Sequence, residues 1–317
     1  MSELKRPTFA DVQQARERIA GHVHATPVMT SRLLDAASGG SLHFKCEHLQ
    51  RCGAFKARGA FNAVLSLGEA EAARGVATHS SGNHGAALAL AAAARGVPAH
   101  IVMPANSARA KFEAVAAYGG HIIECEPTLA AREAALEQVL DQTGATPVHP
   151  YNDPLVIAGQ GTAVLELLEQ VPDLDVVAVP VGGGGLLAGT ALAAKGVNPR
   201  IEVIGVEPSG ADDAFRSFGL GELQEQNNPN TIADGLRARL GELNFRVILD
   251  SVDTIVTVPD EDILTAMRLL WTRLKQVVEP SGAVSYAGAL VHPERFCGRR
   301  AGLVISGGNL DLDNLPW

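Results

Sequence analysis

The chain has 317 residues, enough for one large or two medium domains with a sizeable core. Apolar residues make up 46% and aromatic residues only 4%, so the core must be built from Ala, Val, Leu and Ile, as suits helices packed closely on a parallel sheet. A net charge of −9, without any long basic run, argues against nucleic acid and anionic membrane as partners.

Cys46, Cys52, Cys125 and Cys297 are scattered without CxxC spacing, which points to free thiols in a reducing compartment. The stretch Ser2 to Arg6 is polar and charged, unlike a leader, and the run Ala86 to Ala94 is too short and Ala-rich to span a bilayer. The expectation is a cytoplasmic protein with a small-molecule substrate.

Residues 8–20 read as an amphipathic helix capped by Thr8 or Asp11, and 42–47 alternates like a half-buried strand. Arg51 to Ala60 is a loop running into a helix. From Gly75 strands at 75–78, 99–103, 121–125 and 147–149 alternate with helices at 83–95, 108–118 and 128–143. A second alternation runs through helix 158–170, strand 175–181, helix 186–195 and strand 201–206. It continues through 229–240, a strand at 255–259, a helix over 260–277 and a last strand at 301–306. The expected fold class is α/β with two open parallel-sheet domains. Residues 66–149 form the smaller one, and 1–65 with 150–317 the larger.

The β-branched run before Val181 and the Ala/Leu run after Gly185 place Gly182-Gly183-Gly184-Gly185 between a buried strand and a helix. Four glycines remove every Cβ from that turn. Backbone N–H groups can then converge on an anion at the positive end of the helix dipole. A second helix start, Ser80-Ser81-Gly82-Asn83-His84-Gly85, gathers hydroxyl, amide and backbone donors suited to a carboxylate, whereas a plain N-cap explains only one serine.

The six lysines sort by elimination. Lys5 lies near the terminus, Lys45 faces outward from an alternating strand, and Lys111 and Lys275 sit on polar helix faces. Lys195 occupies a last helical turn, where a cation is favoured. Lys56 alone lies among Ala54, Phe55 and Ala57, between Gly53 and Gly59. A desolvated lysine there becomes a nucleophilic amine able to form a Schiff base. A snorkelling lysine on an ordinary helix is the competing reading, and these residues alone leave both open.

Glu207 and Asp213, in an acidic turn after a strand, can hold a hard cation with a carbonyl or form a solvated loop. Glu207 also lies about twenty residues beyond the glycines, where a dinucleotide fold keeps its ribose acid. Leu187, however, occupies the place of the third glycine, and no Lys-Ser/Thr follows as a P-loop requires. An NAD-binding oxidoreductase and a catalytically silent anion-binding protein are therefore the local rivals.

Taken together, Thr26-Pro27-Val28, Lys45-Cys46-Glu47, Gly53 to Gly59, Ser80 to Gly85, Gly159-Gln160-Gly161-Thr162, Gly182 to Gly185, Gly205-Val206-Glu207-Pro208, Ala233-Asp234-Gly235, Glu279-Pro280-Ser281-Gly282 and Ser306-Gly307-Gly308-Asn309 resemble one family along nearly the whole chain. It is the fold type II pyridoxal-phosphate enzymes of tryptophan synthase β-like architecture, specifically the serine/threonine dehydratase and serine racemase group. The resemblance implies that Lys56 carries pyridoxal 5′-phosphate as a Schiff base, with Phe55 against the ring and Asn83 on its 3′ oxygen. Gly182, Gly183, Gly184 and Gly185, with the Leu186 N–H, hold the phosphate, and Ser306 meets the ring nitrogen. Ser80, Ser81, Asn83 and His84 flank the substrate carboxylate, and Ser81 faces Lys56 as the second base of a racemase. Arg132 matches a basic position for a second carboxylate. Glu207, the Ala211 carbonyl and Asp213 match a Mg²⁺ or Ca²⁺ site.

The implied activity is loss of water from a β-hydroxy amino acid, giving a 2-oxo acid and ammonia. Serine racemisation and 3-hydroxyaspartate dehydration are the alternatives, and a homodimer is the expected assembly. Cys52 and Ala54 stand where the group usually has Thr and Ser, so the resemblance does not extend to nucleotide activation, which stays open. Ala238 replaces a Ser common in racemase-like members. With Trp317 as the last residue, isoleucine feedback is not expected either.

Overall fold

The computed structural model describes residues 5–80, 82–107 and 109–317. Among them lie ten strands: β1 (Val28–Met29), β2 (Ser41–Cys46), β3 (Val76–His79), β4 (Ala99–Pro104), β5 (His121–Cys125), β6 (Thr146–Pro147), β7 (Val176–Pro180), β8 (Glu202–Pro208), β9 (Thr254–Val258) and β10 (Arg300–Ile305). They form two sheets, of order β1-β2-β10-β7-β8-β9 and β5-β4-β3-β6. Every pairing is parallel except that of β1 with β2. The α/β class with two parallel sheets is what the alternation of short apolar strands and helices dictates.

The larger sheet is covered on both faces, as parallel sheets require. Val177 and Val179 of β7 join one apolar layer with Ile157, Val164 and Leu187. Val176 and Ala178 join the opposite layer with Phe44, Ile204 and Val284. Alternate residues thus feed alternate cores, the two-residue period of a strand.

Small residues let the covering helices touch. A Cβ on Gly159, in the helix Pro154–Gln170, would sit 2.6 Å from Gly59 Cα, and one on Gly161 would sit 2.6 Å from the Gly189 carbonyl oxygen. The helix Lys56–Ser66 is therefore pressed against the centre of the larger layer, with Lys56 as its first residue.

Several expectations change. Lys45 does not face solvent: it is fully buried, with Nζ 2.5 Å from Glu166 Oε1 and 2.8 Å from the Thr26 carbonyl. Strand β2 has no open face, because the helix Pro154–Gln170 covers that side. The stretch 229–240 carries no strand, only a short 3₁₀ turn at Asp234–Leu236. The helix expected over 260–277 is regular for Asp260–Leu269 and then widens into a π turn at Leu270–Leu274. Two further helices, Glu242–Ser251 and Pro280–Val291, complete the crossovers to β9 and β10.

Candidate active site

The site forms at the carboxyl ends of the parallel strands, where an open α/β sheet leaves its crevice. β7 runs out into the four glycines, β10 into Ser306 and Gly307, β2 into the turn before Lys56, and β3 into Ser80. Backbone pairing ties these ends together. Phe55 N–H donates to the Ser306 carbonyl at 3.0 Å, Gly308 N–H donates to the Gly53 carbonyl at 3.0 Å, and Ala54 bridges Gly307.

Lys56 is held without a carboxylate partner among the described residues. Its ammonium donates to the Pro150 carbonyl at 2.7 Å and lies 5.1 Å from the Phe55 ring centre. Burial lowers its pKa to about 8, so about a tenth is free amine at neutral pH, far more than for an ordinary lysine. Its histidine neighbours add no negative charge. Burial first, then the Lys56 charge, pushes the His84 pKa well below its usual value. Burial, with His79 and Lys56, lowers His149 to about 4. The His149 Nδ1 accepts N–H bonds from Tyr151 and Asn152 at 3.2 and 2.8 Å, so the proton of the neutral ring belongs on Nε2.

The glycine turn has the expected form with a closer fit than the sequence implied. Gly184 takes φ +87°, and a Cβ there would lie 2.5 Å from Leu240 Cδ1. A Cβ on Gly183 would strike the Tyr151 ring at 2.4 Å. No acceptor among the described residues takes the N–H of Gly182, Gly183 or Gly184. Gly185, Leu186 and Leu187 open the helix Gly185–Val197, whose first-turn N–H groups have no intrahelical partner. Six successive donors in a buried segment fit a phosphate, and the half-buried amine of Lys56, without a carboxylate partner among the described residues, fits the aldehyde of pyridoxal phosphate.

Asn83, the first residue of the helix Asn83–Arg95, donates through Nδ2 to Glu279 Oε1 at 2.8 Å and accepts from Asn309 Nδ2 at 2.9 Å. Ser306 Oγ is buried and donates to the Ser281 carbonyl at 3.3 Å. Ser80 Oγ accepts the Gly82 N–H at 3.4 Å. His84 is buried, with Nε2 3.2 Å from the Val148 carbonyl and Nδ1 unpartnered, so its ring faces inward under the helix. Ser81 lies outside the described residues. Arg132 turns back on its own helix, donating to the Thr128 carbonyl at 3.4 Å.

Glu207 and Asp213 are brought together and are fully buried. Glu207 accepts N–H bonds from Ala214 and Phe215 at 3.1 and 2.7 Å, while Asp213 accepts from Leu240 N–H at 2.7 Å and from Gln226. Burial pushes both pKa values up, with the Asp213 charge adding to the rise of Glu207 and the Asp212 charge to that of Asp213, which reaches about 6. Two buried carboxylates, with Ala211 closing the short turn just before Asp213, offer hard oxygen donors. Among the described residues no group of three or more His, Cys, Asp or Glu side chains is placed to hold a metal, so an ion here would need carbonyl or water oxygens as well.

Sequence reasoning passed over Glu279, His149 and Tyr151. Glu279 sat within a motif without a role, and a glutamate before a helix proline reads as a solvated helix start. In the fold it is only 5% exposed, and burial, with Asp234 nearby, raises its pKa to about 8.

A half-buried amine at a helix start and a glycine turn of unclaimed N–H groups, both at the carboxyl ends of the parallel strands, fit the class of pyridoxal-phosphate enzymes. The chain belongs to the pyridoxal-phosphate dependent enzyme family, whose model matches residues 19–307. It is 49% identical over 311 residues to a beta-hydroxyaspartate dehydratase of Paracoccus denitrificans, covering 98% of this chain and 99% of that one. It is 50% identical over 310 residues to a serine racemase of Arabidopsis thaliana, covering 96% and 93% of the two chains. The solved structure of maize serine racemase superposes with a TM-score of 0.95 at 46% identity, over 98% of this chain and 95% of that one. The fold is thus that of the fold type II group.

Proposed function

We propose that this protein is an ammonia-lyase of the dehydratase type, removing water from a β-hydroxy amino acid to give a 2-oxo acid and ammonia. The observation that carries the reading is Lys56: a half-buried, carboxylate-free amine with its pKa lowered to about 8, in a fold whose glycine turn leaves its N–H groups unclaimed. The named relatives, a hydroxyaspartate dehydratase and serine racemases, support the same class.

Lys56 and the Gly182–Leu186 donors would hold the cofactor, with Phe55, Asn83 and Ser306 around its ring. The chemistry it supplies when bound is electron withdrawal from the substrate α-carbon. Ser80, Asn83 and the start of the helix Asn83–Arg95 offer donors to the substrate α-carboxylate. The free Lys56 amine takes the α-proton as general base, and hydroxide leaves the β-carbon as water once protonated. The unsaturated amine left behind hydrolyses to the 2-oxo acid and ammonia. Ser81 stands in this reading as the residue able to return a proton to the opposite face. Residues 66–149 act as the smaller domain that closes over the substrate. Glu207, Ala211 and Asp213 hold a divalent cation. Magnesium should then raise the melting temperature of the wild type and not that of Asp213→Asn; an equal rise in both would remove the ion from this site.

The test of function is ammonia release from L-serine, D-serine, L-threonine and the 3-hydroxyaspartate diastereomers by the cofactor-loaded enzyme. At least one is consumed, and Lys56→Ala consumes none. Turnover that persists in Lys56→Ala refutes the reading.

A further inference from the structure

A cavity of about 550 Å³ opens beside the glycine turn, lined by His149, Tyr151, Arg239, Gly241, Glu242 and Arg246 among others. Its inner wall is continuous with the catalytic lysine. Pro150, whose carbonyl receives the Lys56 ammonium, lies between His149 and Tyr151. The Tyr151 ring packs on Gly183, and Gly241 N–H donates to the Gly183 carbonyl at 3.1 Å. A group on the β-carbon of a substrate at Lys56 therefore has this wall within reach.

Beside apolar walls from Leu223, Leu240 and Phe245, the cavity offers an anion several donors. His149 contributes a neutral ring whose Nε2 carries the proton, a permanent donor. Glu242 is engaged with Arg246 at 2.6 Å, one helical turn apart. Arg239 is engaged with Glu225 at 3.0 Å, but that pair is exposed, 48% for the arginine side chain and 65% for the glutamate. Such a pair is weak and exchangeable, whereas the guanidinium fork suits bidentate recognition of a carboxylate drawn out of water. Arg132, the other arginine that influences Tyr151, is turned toward the Thr128 carbonyl.

We propose that Arg239 reads a second carboxylate on the substrate, making a dicarboxylic β-hydroxy amino acid the preferred class. The incoming carboxylate displaces Glu225 from the guanidinium and takes a further bond from His149. This assignment rests on the lyase reading above, and it separates the diacid from serine and threonine, which offer Arg239 nothing to bind.

The experiment compares kcat/KM for 3-hydroxyaspartate and L-serine in the cofactor-loaded wild type, Arg239→Met, Arg239→Lys and Arg132→Met, with malonate as a competitive diacid probe. In Arg239→Met the ratio of the two kcat/KM values falls about 100-fold, the scale of a lost charge-assisted pair. The malonate inhibition constant against serine rises alongside it. Arg239→Lys keeps part of the selectivity, because charge survives without the fork. An unchanged ratio in Arg239→Met, or a selective loss in Arg132→Met instead, overturns the assignment. A wild type that dehydrates serine but neither consumes the diacid nor binds malonate overturns it too, while leaving the lyase reading intact. A wild type that consumes no amino acid in the panel removes both.

Discussion

Lys56 is distinguished from Lys45, Lys111 and Lys195 by what it lacks. Lys45, Lys111 and Lys195 each meet a carboxylate at 2.5–2.6 Å, whereas Lys56 meets a carbonyl and an aromatic ring. Burial without a counter-charge is what makes it a base and nucleophile near neutral pH. Glu279 is the complementary case, a buried carboxyl at about 8 that the Asn83 amide holds across the crevice. Since its folded pKa lies above its unfolded one, the folded state keeps an extra proton between about 4.5 and 8. The stability this provides is full at low pH and is lost as pH rises through about 8. The melting temperature of Glu279→Gln, relative to wild type, is therefore expected to climb between pH 5.5 and 8.5. A pH-independent difference would show that Glu279 ionises normally in the fold.

At the scale of elements, the glycine turn joins β7 to the helix Gly185–Val197 and admits no side chain at its centre. Gly184→Ala must hold φ +87° with a Cβ and push Leu240 aside, costing at least the roughly 1–2 kcal/mol of a left-handed alanine. Urea unfolding should show that loss, and phosphate-dependent protection should weaken with it; an alanine variant as stable as wild type would mean the turn is more adaptable than described. This turn was legible in the sequence because its signal is local: a β-branched run, four glycines and an Ala/Leu run. The helix Pro280–Val291 was not, because residues 280–289 are all buried and leave no polar stripe to mark a helical period. Lys45 was misread for a related reason. Alternation assigns a residue to one face of a strand, but only the assembled fold reveals that a helix bearing Glu166 covers that face.

At the scale of the molecule, a buried quartet joins distant parts of the chain to the site. Arg58, two residues after Lys56, donates to both Glu47 carboxylate oxygens at 2.7 and 2.8 Å and to Glu166 at 3.1 Å, while Lys45 completes the charge balance. Burial opposes ionisation of Glu166, but Arg58 and Lys45 outweigh it and keep its pKa low. Removing one member would leave a buried charge uncompensated, at about 3–5 kcal/mol. The quartet locks the helix Lys56–Ser66 against β2 and the helix Pro154–Gln170. Across the crevice, Asn83–Glu279 and Lys111–Asp234 connect the two sheet layers. His149 and Tyr151 carry no local motif, and Glu279, although inside the block Glu279-Pro280-Ser281-Gly282, shows its role only in the fold, where Asn83 donates to it from across the crevice.

The central claim is that Lys56 bears pyridoxal phosphate, and one measurement tests it directly: the absorbance of the protein with pyridoxal phosphate, followed by borohydride reduction and peptide mass mapping. The expected result is a yellow protein whose reduced adduct sits on Lys56 and is absent from Lys56→Ala. A colourless protein, or an adduct spread over other lysines, would contradict the account.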